Sequence, residues 1–312
     1  MKHPNGKGFE LSQKYKLFLL LLPFLVLTTM FAYLPLAGWR FAFFNYRPGI
    51  PLKRDDFVGF RWFISIIESP ARRREVVRVM KNTLGMSALG IVTSWLPVLF
   101  AVMLTEIKTA RYQKIVQTLT TVPNFISWVM VYSFAFMLFS VDAGLVNRLL
   151  MDMGVIDRGI NFLLSGDHIW LKMTAWGIWK GLGWGAIIYL AAIAGIDQQL
   201  YEAATIDGAG RWDQIVHITV PSLLPTYFVL LMLSVANLIS NGMDQYFVFR
   251  NAFNTDTIEV LDLYVYNVGF GKGSTSGIPF ATVMSMLKSV VSLTLLFSVN
   301  GLSRLLRNES IV

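Results

Sequence analysis

The residues able to do chemistry in this chain of 312 residues are few and scattered. The three histidines, His3, His168 and His217, lie in three separate segments and lack the close spacing of a metal site. There is no cysteine, which removes disulfides, cysteine-ligated metals and thiol nucleophiles together. No nucleophile and base stand in a recognisable spacing, so a protease or transferase is the weaker class. We predict no metal site and no catalytic residue.

Two glycine-rich segments approach nucleotide-binding motifs without completing them. In residues 269–277 the Gly-Lys pair ending at Lys272 is followed by Gly273, where a phosphate-binding P-loop requires Ser or Thr. The pair Gly208-x-Gly210 has Asp213 at the place of the third glycine of a dinucleotide fingerprint. We therefore predict that this chain itself binds no cofactor.

The composition indicates a membrane protein. Of the residues, 54% are hydrophobic and 15% charged, whereas soluble domains are about 25% charged. The net charge of +8 would suit a nucleic-acid binder only if it gathered on a soluble surface, and little of this chain is polar enough to form one. We predict no nucleic-acid partner.

Six apolar runs are long enough to cross the hydrocarbon core of a bilayer, which is about 30 Å thick. They cover residues 17–37, 83–105, 115–140, 169–194, 222–245 and 279–302. The sequence thus predicts an all-α membrane protein with six transmembrane helices and both termini on one side. The first run is too long for a signal-peptide core, so we expect it to be a retained anchor.

The charge of the N-terminal tail, residues 1–16, sets the expected orientation. It carries four lysines against one glutamate, which favours cytoplasmic N- and C-termini by the positive-inside rule. Over the whole chain the rule fails, because the basic residues then predicted outside outnumber those inside. Most of them fall between Arg40 and Lys81.

The expected organisation follows from the runs. A first transmembrane helix (17–44) leads to an extracytoplasmic cap (45–81) with an amphipathic segment and three consecutive arginines from Arg72. A five-helix core (82–303) and a short C-terminal tail (304–312) follow. Two roles for the cap remain open: anchoring at lipid headgroups, or a function of its own.

The loop between the fourth and fifth runs, residues 195–221, carries the most specific pattern. Residues 198–206 contain no helix breaker, residues 207–210 form a turn signal, and helical character resumes at Arg211 until Pro221. In the second piece one face would carry four residues, namely Trp212, Ile215, Val216 and Thr219. We expect a compact helical knob suited to a groove on a partner.

Within this loop, Glu202-Ala203-Ala204 is followed at fixed offsets by Gly208, Ile218 and Pro221. The arrangement resembles the EAA loop of permease subunits of binding-protein-dependent ATP-binding cassette (ABC) importers, with Val220 in place of the usual Leu. The chain from about residue 81 to residue 304 also resembles the sugar and oligosaccharide branch of these permeases, which is maltose-permease-like, and especially those importing polysaccharide fragments.

This resemblance implies the type I ABC importer permease fold in a bacterial inner membrane. It implies that the loop docks into an ATPase subunit through Glu202, Ala203, Ala204, Asp207, Gly208, Arg211, Ile218 and Pro221. Glu202 would meet a basic residue there, and Gly208 would permit the turn. The implied partners are a second homologous permease subunit, two ATPase subunits that bind ATP and Mg, an extracytoplasmic solute-binding protein, membrane lipid and an oligosaccharide.

Polar residues inside predicted spans are functional candidates because they are costly in lipid. In the fifth run Asn237, Asn241 and Asp244 would share one helical face with Ser234, and Lys288 lies in the sixth. We expect Asn237, Asn241, Asp244 and Lys288 to line the translocation path. The competing interpretation is helix packing or contact with the companion subunit. A cation at mid-depth would suit an acidic, uronate-containing cargo.

Small residues mark the fourth run, where glycines recur at four-residue spacing (177, 181 and 185) beside three tryptophans. We expect this face to pack against a neighbouring subunit, ahead of sugar stacking on the rings. Two other functions remain open: a secondary transporter or channel subunit not coupled to ATP, and a structural scaffold.

Overall fold

The computed structural model describes residues 12–271 and 277–307. Five helices there are long and apolar enough to cross a membrane, and a sixth candidate is a pair of helices joined at a sharp bend. These are spans 1 to 6: Gln13–Phe43, Pro70–Thr105, the pair Ala110–Phe125 and Trp128–Phe139, Ile169–Ala194, Arg211–Ala236, and Gly277–Gly301. The described residues contain no strand beyond one isolated bridge. The predicted all-α, six-span class is confirmed.

Parts of three predicted segments lie outside the described residues. These are residues 1–11 of the N-terminal tail, residues 308–312 of the C-terminal tail and residues 272–276 of the glycine-rich segment. The helix of span 1 already begins at Gln13, inside the predicted tail, and the helix of span 6 continues to Arg307.

Span 1 stands apart from the bundle. It is α-helical to Thr28, makes a wide π turn over Thr29–Tyr33 and tightens to a 3-10 helix over Leu34–Phe43. No residue of its α-helical part is buried, and only its last turns pack against span 6. Its apolar surface is therefore available to lipid or to another subunit.

Span 2 begins earlier than the sequence predicts. Pro70 occupies the first helical turn, and the Ser69 hydroxyl accepts a hydrogen bond from the Arg72 backbone N–H at 3.5 Å, a helix start made by an N-cap and a proline. Residues 70–81, assigned to the cap, thus belong to the long helix. The remainder of the cap contains the short helix Arg61–Glu68, whose Trp62 indole donates to the carbonyl of Phe44 at 3.2 Å.

Span 2 is interrupted halfway. The helix Pro70–Val92 ends in a turn and resumes as Leu96–Thr105. Pro97 accounts for the break, because its ring lacks an N–H and crowds the carbonyl four residues earlier. The interruption leaves polar backbone and the side chains of Thr93 and Ser94 in the middle of the bundle.

Span 5 departs from the prediction at both ends. We expect a helix that stops at Pro221, yet the chain stays helical from Arg211 through that proline to Ala236. A π turn over Ile215–Thr219 precedes the proline, and such a wide turn relieves the ring clash that would otherwise break the helix. The predicted span 222–245 is too long by nine residues, because the helix ends at Ala236.

The chain between spans 5 and 6 folds back into the bundle as three short helices, Asp244–Phe249, Thr255–Ile258 and Leu261–Phe270. Apolar residues of this segment are fully buried against spans 2, 3, 4 and 6. They include Phe249, Ile258, Leu261 and Leu263. A third cluster joins spans 2, 4 and 5 near the loop of residues 195–221. No apolar run or motif predicts that the chain between spans 5 and 6 inserts into the bundle.

Candidate functional site

The loop of residues 195–221 begins with the predicted helix, Gln198–Ile206. The Asp197 carboxylate caps its start by accepting the Gln199 N–H at 2.9 Å. The turn after this helix contains Gly208, whose φ of +81° is a conformation that other residues adopt only with strain. The Ala209 N–H then donates to the Ala204 carbonyl at 2.9 Å and closes the turn. The predicted helix and turn are confirmed.

Side chains join the two helical pieces of the loop into one unit. The hydroxyls of Tyr201 and Thr219 lie 2.9 Å apart, and the Gln214 amide donates to the Thr205 hydroxyl at 2.9 Å. Thr219 is a buried residue of span 5, two residues before Pro221. Because the first helix is bonded to the start of span 5, a force applied to the loop is transmitted to that span.

The surface of the loop is open. Of the residues predicted to dock, Glu202, Ala203, Asp207, Gly208, Arg211 and Pro221 are exposed, while Ala204 and Ile218 are half-buried. Ile206 is 87% exposed and Trp212 74%, unusual for large apolar side chains outside a binding surface. The four residues predicted to share one face differ in burial: Ile215 and Thr219 are buried, whereas Trp212 and Val216 are exposed.

One ion pair ties the loop to the rest of the bundle. Arg211 lies 3.9 Å from the Glu106 carboxylate, in the turn that separates span 2 from span 3. Both side chains are more than one-third exposed, so the pair contributes little stability. Its location shows that the loop contacts the turn that follows span 2.

The three residues of the fifth run predicted to line a translocation path do not share a helical face. Since the helix of span 5 ends at Ala236, Asn237 lies in the following turn and its amide donates to the Leu233 carbonyl at 2.9 Å. Asp244 starts a separate short helix and is exposed. The predicted grouping of Asn237, Asn241 and Asp244 on one face is therefore wrong.

Lys288 is held by a partner that sequence reasoning missed. Its ammonium pairs with the Asp262 carboxylate, whose other oxygen accepts the Gly242 backbone N–H at 2.8 Å. Both side chains are largely buried, at 23% and 19% exposed. The helix that carries Asp262 is not part of any apolar run, so the sequence does not predict this pair.

Asn241 lies at a polar cavity of about 330 Å³ in the middle of the bundle. The cavity is bounded by the break in span 2, the glycine face of span 4 and the turn after span 5. Its polar lining comprises Ser87, Thr93, Ser94, Thr174, Asn241, Gln245 and Tyr246. Asn241 and Ser87 are hydrogen-bonded at 2.9 Å, and the Gln245 amide donates to the Met173 carbonyl at 2.7 Å.

The glycine face of span 4 forms one wall of this cavity. A β-carbon added at Gly177 or Gly181 would meet nothing within 4 Å, and both glycines line the space. At Gly185 it would lie 3.3 Å from the ring of Pro97. Within the described chain, two of the three glycines thus open the cavity, and the third allows spans 2 and 4 to approach.

A second polar cluster fixes the segment between spans 5 and 6 against span 2. Arg78 pairs with Asp256 and, at 2.8 Å, with the buried Glu259, which also accepts the Asn267 amide at 2.6 Å. The Asn82 amide donates to the Glu259 carbonyl at 3.1 Å. Arg78 and Asn82 lie more than 170 residues before these partners, so no local pattern predicts the contacts.

Comparison with known proteins identifies relatives along the whole chain. Residues 94–308 match the family described as "Binding-protein-dependent transport system inner membrane component". Protein LplB of Bacillus subtilis (strain 168) is 34% identical over 98% of this chain and 95% of its own. The polygalacturonan/rhamnogalacturonan transport system permease protein YteP, from the same organism, is 37% identical over 96% and 91%.

Two solved structures share the fold. A chain of a bacterial ABC transporter involved in the import of the acidic polysaccharide alginate is 31% identical, with a TM-score of 0.81 over 94% of this chain and 96% of that one. A chain of the alginate transporter in complex with its alginate pentasaccharide-bound periplasmic protein is 30% identical, with a TM-score of 0.82 over 95% and 96%.

Proposed function

The chain belongs to the family of binding-protein-dependent transport system inner membrane components, as a permease of the sugar-importing ABC branch, and from this premise we propose that it moves an acidic oligosaccharide inward by alternating access, driven by ATP hydrolysis in partner subunits. The family is one of transport permeases, not enzymes. ATP and Mg would bind to the partner ATPase subunits. The permease itself would lie in a bacterial inner membrane.

The observation that carries ATP coupling is the exposed, internally bonded knob of residues 195–221. Its apolar residues Ile206 and Trp212 and its carboxylates at Glu202 and Asp207 form a surface that can fill a cleft on an ATPase subunit. Closure of two ATPase subunits would move this knob and, through the Tyr201–Thr219 bond, span 5. The spans would then exchange between inward-facing and outward-facing arrangements.

The polar cavity supports an oligosaccharide as cargo. Hydroxyl and amide groups from spans 2 and 4 and from the turn after span 5 converge on it, and its volume falls within the range of ligand clefts. The absence of side chains at Gly177 and Gly181 lets a sugar ring approach the backbone of span 4 closely. A second permease subunit would close the path, and a solute-binding protein would deliver the cargo.

An acidic cargo is supported by the relatives. YteP is named for polygalacturonan and rhamnogalacturonan, and the structural neighbours import the acidic polysaccharide alginate. Uptake by the assembled transporter should be faster for an oligouronate than for a neutral oligosaccharide of equal length. Equal or slower uptake of the oligouronate would refute the acidic cargo while leaving the permease assignment intact.

Co-purification tests the coupling. We expect a tagged permease to retain its ATPase subunit, and Gly208→Asp or Glu202→Lys to lose it, because the first strains the turn and the second reverses a charge on the docking surface. Gly154→Asp is the matched control, since Gly154 has a similar φ of +70° and equally open surroundings outside the loop. Equal retention in all variants would refute docking through this loop, and no ATPase with the wild type would favour a secondary transporter or channel.

A further inference from the structure

Span 3 contains a sharp break. Its first arm, Ala110–Phe125, and its second arm, Trp128–Phe139, meet at 107°. Pro123 lies in the last turn of the first arm, and the Ser127 hydroxyl caps the second arm by accepting the Met130 N–H at 3.4 Å. A helix that ends inside a membrane leaves carbonyl groups without helical donors, and these are costly in lipid unless another group satisfies them.

Lys180, in the middle of span 4, donates to two carbonyls at this helix end, that of Asn124 and that of Pro123, which also accepts the Ile126 N–H at 3.2 Å. Its ammonium donates to the carbonyl of Pro123 at 3.2 Å and to that of Asn124 at 2.6 Å. A cation at the C-terminal end of a helix also interacts favourably with the helix dipole. Among the ion pairs found in residues 12–271 and 277–307, none includes Lys180. Backbone carbonyls are therefore the acceptors observed for this costly charge.

The same ammonium contacts the second arm. It lies 5.5 Å from the centre of the Trp128 ring, within the range of a cation–π interaction. One turn further along span 4, a β-carbon at Gly183 would lie 2.4 Å from the Thr120 carbonyl, so the first arm packs directly on the span 4 backbone. Phe125 also meets Trp184 edge-to-face at 5.6 Å. Span 4 thus holds both sides of the bend.

We propose that Lys180 is a positioning residue that latches the bend of span 3, so that its first arm moves with span 4 as one body. The first arm starts four residues after Glu106, which pairs with Arg211 of the docking loop. The first arm therefore begins close to the docking loop, and Lys180 holds its other end. The consequence for transport rests on the proposed function; the consequence for the bend does not.

The bend can be measured directly because the chain has no cysteine. Spin labels at Leu119→Cys and Met137→Cys, on exposed positions of the two arms, report their separation in the assembled transporter in lipid nanodiscs. We expect one narrow distance distribution in the labelled parent and an additional longer distance in Lys180→Met. Lys180→Arg, which keeps the donors, should restore the narrow distribution.

Lys172→Met is the matched control. Lys172 lies two turns earlier on the same helix and donates to the Ser165 carbonyl at 3.1 Å, away from the bend. Its loss should leave the distribution unchanged. Losing two charge-assisted hydrogen bonds shifts the equilibrium between the latched and the released bend by about tenfold or more. Lys180→Met should therefore lower uptake by about tenfold, while ATP hydrolysis stays near the parent rate.

A parental distance distribution in Lys180→Met would overturn the latch, as would an altered distribution in Lys172→Met. If Lys180→Met does not assemble, Trp128→Leu keeps both hydrogen bonds, removes the ring contacts of Trp128 with the ammonium and with Phe249, and should broaden the distribution. An unchanged width would again overturn the proposal. Uptake by the labelled parent that does not depend on ATP hydrolysis would refute the proposed function, and the distance measurement would still test the latch.

Discussion

Replacing Lys288 tests whether this cation contacts cargo or serves the fold. The ammonium neutralises the Asp262 carboxylate, so Lys288→Met leaves that carboxylate charged, largely buried and without a cation. Breaking a fully buried pair costs about 3 to 5 kcal/mol. Because about a fifth of each side chain is exposed and the Gly242 N–H still supports the carboxylate, we expect about 2 kcal/mol, or about thirtyfold in the population of the native arrangement.

The assay is a double-mutant cycle on uptake by the assembled transporter. We expect Lys288→Met and Asp262→Asn each to lower uptake by about thirtyfold, and the double variant to recover to within about threefold, because its asparagine oxygen still accepts the Gly242 N–H. Acidic and neutral oligosaccharides should be affected equally. A double variant no better than the singles, with loss confined to the acidic cargo, would refute this reasoning and indicate direct contact with cargo carboxylates.

Three further predictions concern glycine packing, the cavity and a buried amide. Gly183→Ala should abolish assembly seen by size-exclusion chromatography, because its β-carbon meets backbone at 2.4 Å, whereas Gly181→Ala, with open space, should assemble normally. Asn241→Leu should raise the KM for cargo by about tenfold without changing ATPase retention, since it removes a cavity amide. Asn147→Leu should lower thermal stability in detergent by about 3 kcal/mol, because three backbone hydrogen bonds of 2.9 Å are lost at a fully buried side chain; an unchanged melting curve would contradict this.

The sequence predicts those features that depend on neighbouring residues. Span 4 matches its apolar run from Ile169 to Ala194, and the turn at Gly208 follows from a breaker signal within a few residues. Both depend on local rules: hydrophobic length in the first case, and the conformational freedom of glycine in the second.

The features that the sequence does not predict depend on distant contacts. Pro221 reads as a helix end, but the π turn before it lets the helix continue, and that turn is stabilised by packing of the buried Ile215 and Thr219. Asp262 and Lys288 are 26 residues apart on different helices, and only the folding back of the chain between spans 5 and 6 brings them together. The cavity likewise requires the break in span 2 to face the glycines of span 4.

The same distinction applies to the basic cap. Counting charges places most positive residues outside, against the positive-inside rule, but part of that charge has structural partners. Arg78 pairs with Asp256 and Glu259, and Arg72 lies 5.4 Å from the Trp62 ring and 4.9 Å from the Phe280 ring. Side chains engaged in this way hold the bundle together, which gives part of this basic segment a structural role.

The most direct test of the proposed function is cargo uptake into sealed vesicles containing the assembled transporter, with the loaded binding protein outside and the energy source varied. We predict that an oligouronate enters only when ATP is present inside, that ionophores have no effect, and that Gly208→Asp abolishes entry while Gly154→Asp does not. Uptake driven by an ion gradient without ATP would contradict the central claim and identify the chain as part of a secondary transporter.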